Sequence, residues 1–312
     1  MQNRGGGAPP PVGIIYNTSM HRPDAALALG AFYAYETKRE AKVGSVCVVG
    51  AGLNAAIFCD IVARLFIGNP QPGNQQLPAG LAIVDPMPPD SAMVQAVVAQ
   101  SRYNRSIQRV SDTSQAEAVL RNGVIFNATS AMVLSAPATI FAKSLDLLGV
   151  VDLFKDRVKR LVIVDSGEPQ RDIAALRKVI GEFPSPVFFC GKEVGQSLLF
   201  PAASIEKDFA WASAHPVADA YRAARPMPYD APSHDLAAAH YAVHPELGFF
   251  QESAPGTLSV TDEGVMRFAV GGEGKIRSLT VDPAKRADLL QALIAIASAR
   301  PPAPSRGRGN QQ

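Results

Sequence analysis

Two short stretches carry residues whose types and spacing suit chemistry. In "YNTSMHRPDAALALG" (16–30), an apolar run (Val12, Ile14, Ile15) ends in a polar turn before an Ala/Leu-rich helical pattern. Strand, turn, helix is how α/β enzymes bring catalytic groups to a strand's carboxyl end. The turn holds one acid, Asp24, where a metal or general-base site would want several. A lone Asp there also suits a helix cap that complements the helix dipole. In "MPYDAPSHDLAAAHYAVHPELGFF" (227–250), the pair His234-Asp235 precedes an apolar helical run. Asp235 is placed to cap that helix, and His240 and His244 read as an exposed face or end of it.

The elements that must position these groups follow from pattern. Apolar, β-branched runs at 12–16, 45–49, 81–84, 123–126, 131–134, 161–164 and 186–189 predict strands. Helical spacing predicts helices over 24–39, 53–67, 91–100, 137–148 and 170–182. Strands buried on both faces and separated by helices make an α/β protein with a mostly parallel central sheet flanked by helices, Rossmann-related in class. Ligands gather beyond the carboxyl ends of such strands. Residues 12–300 are expected to form one domain, between a Gly/Pro-rich leader (1–11) and a basic tail (301–312) of disorder-like composition.

Composition narrows the function classes. A net charge of +2 with 19% charged residues supplies no electrostatic reason to expect nucleic acid as a partner. No run reaches the roughly 18 apolar residues of a membrane span. No signal peptide is visible, and the sequence leaves the compartment open: cytoplasmic, or exported with "MQNRGGGAPPPVG" standing in place of a removed signal. Cys47, Cys59 and Cys190 are odd in number, lie in apolar surroundings and read as buried thiols. "VVGAGLNAA" places Gly50, Gly52 and Ala55 between a strand and a helix and so meets the dinucleotide pattern. Asp85, however, comes later than the acid expected about 20 residues on, and a tight strand-to-helix turn accounts for the glycines as well.

With these residues in place, the sequence resembles the inosine–uridine-preferring nucleoside hydrolases. The likeness rests on the first turn, on the H-D pair, on "LSAPATIFAKSLDLL" (134–148), and on "ASIEKDFAW", "HPVADAY" and "MPYDAPS-x-D", shared with a bacterial subgroup. It runs from about residue 12 to 300. It implies a nucleoside hydrolase-like α/β domain with a mixed sheet, a homodimer or homotetramer, a nucleoside or other ribosyl ligand, and Ca2+-dependent cleavage of the N-glycosidic bond. Carboxylates would stabilise the oxocarbenium-like transition state, a hard cation would lower the pKa of a bound water, and an imidazole would protonate the leaving base.

Carried across without a gap, the family's D-x-D-P-G-x-D-D-A turn falls on Asn17, Ser19, Met20, His21, Pro23, Asp24 and Ala25. Of four acids only Asp24 remains. The resemblance then implies metal ligands at Asp24, Asp235 and Thr139 (by its backbone carbonyl), catalysis by His234 and Asp24, and substrate contacts from Asn17, Ser19, His21 and Glu168. Ser19 replaces the acid that is both ligand and presumed base, and a neutral hydroxyl serves poorly as either, so calcium is expected to be weakened or lost. The family's ribose-contacting Asn falls on Ala51, and its E-x-N segment falls near Ser166, Glu168 and Asp172. Three readings stand: a hydrolase with a reworked site, a member that binds a ribosyl ligand without turnover, and an oxidoreductase using the "GAGLNA" turn.

Overall fold

The computed structural model describes residues 11–68, 80–87 and 89–301. The leader up to residue 10, the tail from 302 and all but the ends of the "GNPQPGNQQLPAG" stretch (68–80) lie outside the described residues. The first half alternates strand and helix: β1 (Val12–Thr18), α1 (Pro23–Thr37), β2 (Ala41–Val49), α2 (Leu53–Ile67), β3 (Gly80–Val84), α3 (Ala92–Val98), α4 (Ala116–Ile125), β4 (Ser130–Leu134), α5 (Thr139–Leu145), α6 (Val150–Arg157), β5 (Val158–Val164), α7 (Ile173–Glu182) and β6 (Val187–Cys190). Then follow α8 (Lys192–Ser197), β7 (Leu199–Phe200), α9 (Ala202–Lys207), α10 (Pro216–Ala224), β8 (Ala231–Pro232) and α11 (His234–Val243). The chain ends in β9 (Phe250–Glu252), β10 (Gly256–Val260), β11 (Met266–Val270), β12 (Arg277–Val281) and α12 (Arg286–Ala297).

Eight strands form one sheet in the order β3-β2-β1-β4-β5-β6-β12-β9. All its neighbours are parallel except β12 and β9, so the sheet is mixed and mostly parallel. β1 lies between β2 and β4, its Tyr16 beside Val46 on one side and Val133 on the other. The chain builds outward from β1 through β2 and β3, then returns to add β4, β5 and β6 on the opposite side. That reversal opens a crevice beyond the carboxyl ends of β1 and β4.

Helix α1 covers this crevice from one side. Pro23 presets its first turn, and its Ala/Leu/aromatic sequence is buried all round. A helix apolar on every side must be enclosed by other elements, and α1 packs against α2, α10, α11 and α12 as well as β2.

Three expectations need correction. "GVIF" (123–126) is not a strand but the end of α4 and the turn after it: Val119, Leu120, Gly123 and Val124 are the buried face of that helix, and a four-residue apolar run does not by itself distinguish the two. His240 is not on an exposed face; it is 4% exposed and its Nδ1 lies 2.6 Å from the Tyr35 hydroxyl. Strands β9 to β12 were not anticipated. Cys47, Cys59 and Cys190 are buried free thiols. Among the described residues no helix is long and apolar enough to cross a membrane.

Two buried imidazoles give the fold a pH dependence. Burial, above all, lowers the pKa of His215, set against Phe209 and Trp211, and of His240 from 6.5 to about 4. Below pH 6.5 the unfolded chain therefore takes up protons that the folded chain refuses. Stability is present above that pH and falls as pH drops toward 4, by up to about 3 kcal/mol per histidine. Urea denaturation at pH 7.5 and 4.5 should show this fall. His240→Asn, which keeps a partner for Tyr35 but does not titrate, should reduce it.

Candidate active site

The site is assembled where two helix N-termini meet at the end of β1. After Thr18 the chain turns sharply: Thr18 Oγ1 accepts from the Met20 amide at 3.1 Å, and Met20 adopts a left-handed φ of 53° that costs a non-glycine residue energy. Ser91 fixes the turn by donating to the Met20 carbonyl at 2.9 Å. Arg22 then precedes α1, with Asp24 in that helix's first turn. Opposite, Asp235 lies in the first turn of α11. It is the second residue of the helix and not its cap. Asp24 does the capping from a distance, Oδ2 accepting from the Asp235 amide at 2.8 Å. That hydrogen bond satisfies one of the amide donors a helix start leaves open.

Arg22 stands between the two acids. Its Nε donates to Asp24 Oδ1 at 3.3 Å, and its Nη2 donates to Asp235 Oδ1 at 2.5 Å and to Ser135 Oγ at 3.0 Å. Ser135 Oγ donates in turn to Asp235 Oδ1 at 2.6 Å, and the Tyr16 hydroxyl donates to Asp235 Oδ2 at 2.5 Å. Asp24 and Asp235 are almost wholly buried. Burial first, then the neighbouring Asp235, push the Asp24 carboxyl up to about 6 against the pull of Arg22. Burial works against the Arg22 charge, but Asp235 and Asp24 outweigh it and raise its pKa, so the guanidinium stays protonated. Burial, then Asp235, raise the Tyr16 phenol, which remains a donor.

Above this cluster opens a cleft of about 480 Å³ whose polar wall includes Ser19, His21, Arg22, Ser135, Ser166 and Glu168. Gly50 and Val164 also line it, so the ends of β1, β2, β4 and β5 converge there. Of the residues singled out from sequence, Asp24 and Asp235 come together beneath the cleft, and Ser19, His21 and Glu168 stand in its wall. Asn17 lies below, fully buried; its Nδ2 donates to the Pro137 carbonyl at 3.4 Å and its Oδ1 has no partner among the described residues. His234 is buried outside the wall. A Cβ at Gly195 would fall 2.2 Å from its Nδ1, so only glycine fits beside the ring. Burial, then the Arg22 charge, lower its pKa.

Of the expected metal set, Thr139 would contribute its backbone carbonyl; its hydroxyl donates to Asp172 at 2.8 Å, and Asp172 caps α7 by accepting from Ala175, which ties two helices together. The residue of that segment that meets Asp235 is Ser135. A divalent cation between Asp24 and Asp235 does not fit this donor set. Their four carboxylate oxygens already accept from Arg22, Ser135, Tyr16 and the Asp235 amide, and among the described residues no three His, Cys, Asp or Glu side chains gather to hold a metal. Arg22 and Ser135, the two polar groups that complete the cluster, were not picked out from the sequence.

The "GAGLNA" turn also reads differently in three dimensions. Asp90 fills the N-terminus of α2, accepting from the Gly52 amide at 2.5 Å and the Asn54 amide at 3.0 Å. A pyrophosphate would need those same amides. A Cβ at Gly52 would lie 2.9 Å from the Asp90 carboxylate, which explains the glycine without a dinucleotide.

By sequence, no family model matches the chain and no curated protein is similar to it. By structure it is similar to the inosine-uridine preferring nucleoside hydrolase from Bacillus anthracis, with a TM-score of 0.64 at 13% identity over 91% of this chain and 99% of that one. An inosine-guanosine nucleoside hydrolase superposes at 0.67 with 15% identity, over 91% and 98%. The effector protein XopQ, complexed with adenosine diphosphate ribose, superposes at 0.60 with 13% identity, over 93% of each chain. The chain therefore has the nucleoside hydrolase fold.

Removing one member of the buried cluster should be costly. Asp235→Ala takes from Arg22 the shorter of its two ion pairs and from Tyr16 its 2.5 Å acceptor, and should lower unfolding stability by about 3–5 kcal/mol. Tyr16→Phe should cost about 1–2 kcal/mol. Urea denaturation of both variants checks the ranking.

Proposed function

We propose that this cleft binds the ribosyl part of a ribonucleoside or related compound, and that it cleaves the N-glycosidic bond slowly at best. The observation that carries the reading is the convergence of four strand ends on a polar cleft floored by Arg22 and Ser135, in the nucleoside hydrolase fold. Vicinal ribose hydroxyls need paired donors and acceptors. Ser19, Ser135 and Ser166 supply hydroxyls to the wall, and Arg22 Nη1 makes no hydrogen bond among the described residues, which leaves it for a ligand oxygen.

The slowness follows from the groups that touch water in the cleft. Ser19 is no base at neutral pH. Asp24 and Asp235 are engaged with Arg22 beneath it. His234, buried and held neutral by its surroundings, is removed from the wall. Loss of a general base costs about 10²–10⁴ in rate. A second reading, faster hydrolysis, is favoured by Glu168 alone, the carboxylate in the cleft wall. It would take a proton from water as the water oxygen bonds to C1′ and the base departs. His21 and Arg171, exposed at the same cleft, would suit a ligand extended by phosphates, such as the adenosine diphosphate ribose found with XopQ.

Calorimetric titration with inosine, uridine and adenosine diphosphate ribose should give saturable binding with at least one of them. Base release from inosine should be slow and should rise in Ser19→Asp by about 10² or more. Ser135→Leu, which fills the floor, should abolish binding. Silence toward every ribosyl compound would sink the proposal. Brisk turnover lost in Glu168→Gln would establish the second reading in its place.

A further inference from the structure

We infer that the guanidinium of Arg22 is a built-in replacement for a metal ion: a permanent single positive charge that binds Asp24 to Asp235 and keeps divalent cations out of the site. The inference concerns the floor of the cleft and holds whatever ligand the cleft takes.

Three observations carry it. Arg22 reaches both carboxylates at once, and its Nη2 also bonds Ser135, so the fork spans the space between α1, α11 and the end of β4 as a coordinated ion would. Each carboxylate oxygen is already an acceptor. Asp24 takes Arg22 Nε and the Asp235 amide, and Asp235 takes Arg22 Nη2, Ser135 and Tyr16. A calcium ion needs six to eight oxygen ligands, and here each of the four carboxylate oxygens already faces a donor that a cation would have to displace. Finally, Arg22 precedes the first turn of α1, a place where the helix dipole disfavours a cation. The charge is tolerated because the two acids more than compensate, and both acids sit in first turns where that dipole favours an anion.

Charge balance points the same way. Two buried carboxylates with one arginine leave a single net negative charge, eased by two helix N-termini. With Asn17, Ser19 and Pro23 neutral around them, the two carboxylates offer a divalent ion a weak site, one that cannot compete with an arginine already in place. An arginine, more weakly hydrated and planar, matches the paired acids better.

The test compares wild type with Arg22→Ala by calcium calorimetry, tyrosine-sensitised terbium emission and thermal melting. Wild type should show no saturable calcium or terbium binding up to about 1 mM, and its melting temperature should be the same in calcium and in EDTA. Arg22→Ala should melt lower by about 5 °C or more. Millimolar calcium or methylguanidinium should restore part of that loss in the variant and do nothing to wild type. Terbium should bind the variant with a stoichiometry of one, and Asp235→Asn in the same background should abolish that binding. If Arg22→Ala does not fold, Arg22→Gln fills the space without the charge and should bind terbium, while Arg22→Lys should not. One-to-one calcium binding by wild type that is lost in Asp235→Asn would overturn the inference. So would an Arg22→Ala or Arg22→Gln protein as stable as wild type and blind to added cations.

Discussion

The contact on which the rest of the site depends is the ion pair of Arg22 with Asp235, with Asp24 as its second acceptor. Moving a carboxylate into a protein interior costs several kcal/mol, and Coulombic attraction repays this only when geometry and extra hydrogen bonds are good. Here Asp235 receives Arg22, Ser135 and Tyr16, while its own amide is held by Asp24. These partners come from β1, the turn after it, α1, the end of β4 and α11. One buried charge cluster thus locks the two covering helices to the centre of the sheet. The crevice opened by the reversal of strand order stays lined by the same groups because none of them can leave without stranding another.

The strength of that lock explains why local rules are broken around it. Met20 accepts a left-handed backbone, and Arg22 sits at a helix start with no side-chain cap. Each is a small cost by itself. Together they aim a long basic side chain at two acids that face one another across separate helices. Conflicts between local preference and global structure of this kind mark functional positions more reliably than any single residue type.

Much of the architecture was legible because parallel strands buried on both faces read as continuous apolar runs. The turn in "YNTSMHRPDAALALG" lines the cleft and Asp235 lies beneath it beside Asp24, since strand ends and helix starts converge in such folds, whereas His234 is buried outside the wall. What escaped had physical reasons. "GVIF" is too short for its period to tell strand from helix. Strand β10 alternates buried and exposed residues and β11 is mostly exposed, both outside the parallel core and both a weaker signal than a solid apolar run. Arg22 fell on the variable position of the turn, where a motif directs no attention, although a basic residue before a helix was itself the clue. In the "LSAPAT" segment, Thr139 and Ser135 are both hydroxyls, and only the register of β4 against β1, with the Ser135 amide on the Asn17 carbonyl, selects Ser135.

The helix starts show how such a cleft would handle charge. Asp90 occupies the amides that open α2, and Asp24 occupies an amide that opens α11. Both are places where a phosphate would otherwise be welcome, and both are filled by the chain's own carboxylates. Around the cleft stand hydroxyls, one unengaged arginine nitrogen and the Glu168 carboxylate, which suit a sugar better than an anion. Cationic side chains free to meet phosphate, such as Arg171, are exposed at its mouth. In the proposed reading the ribose therefore lies innermost, and any phosphates the ligand carries point outward to solvent. Arg22 then has two duties that reinforce each other. It offsets one of the two buried negative charges, and by engaging both acids it leaves the floor of the cleft a hydrogen-bonding surface on which an uncharged sugar can rest.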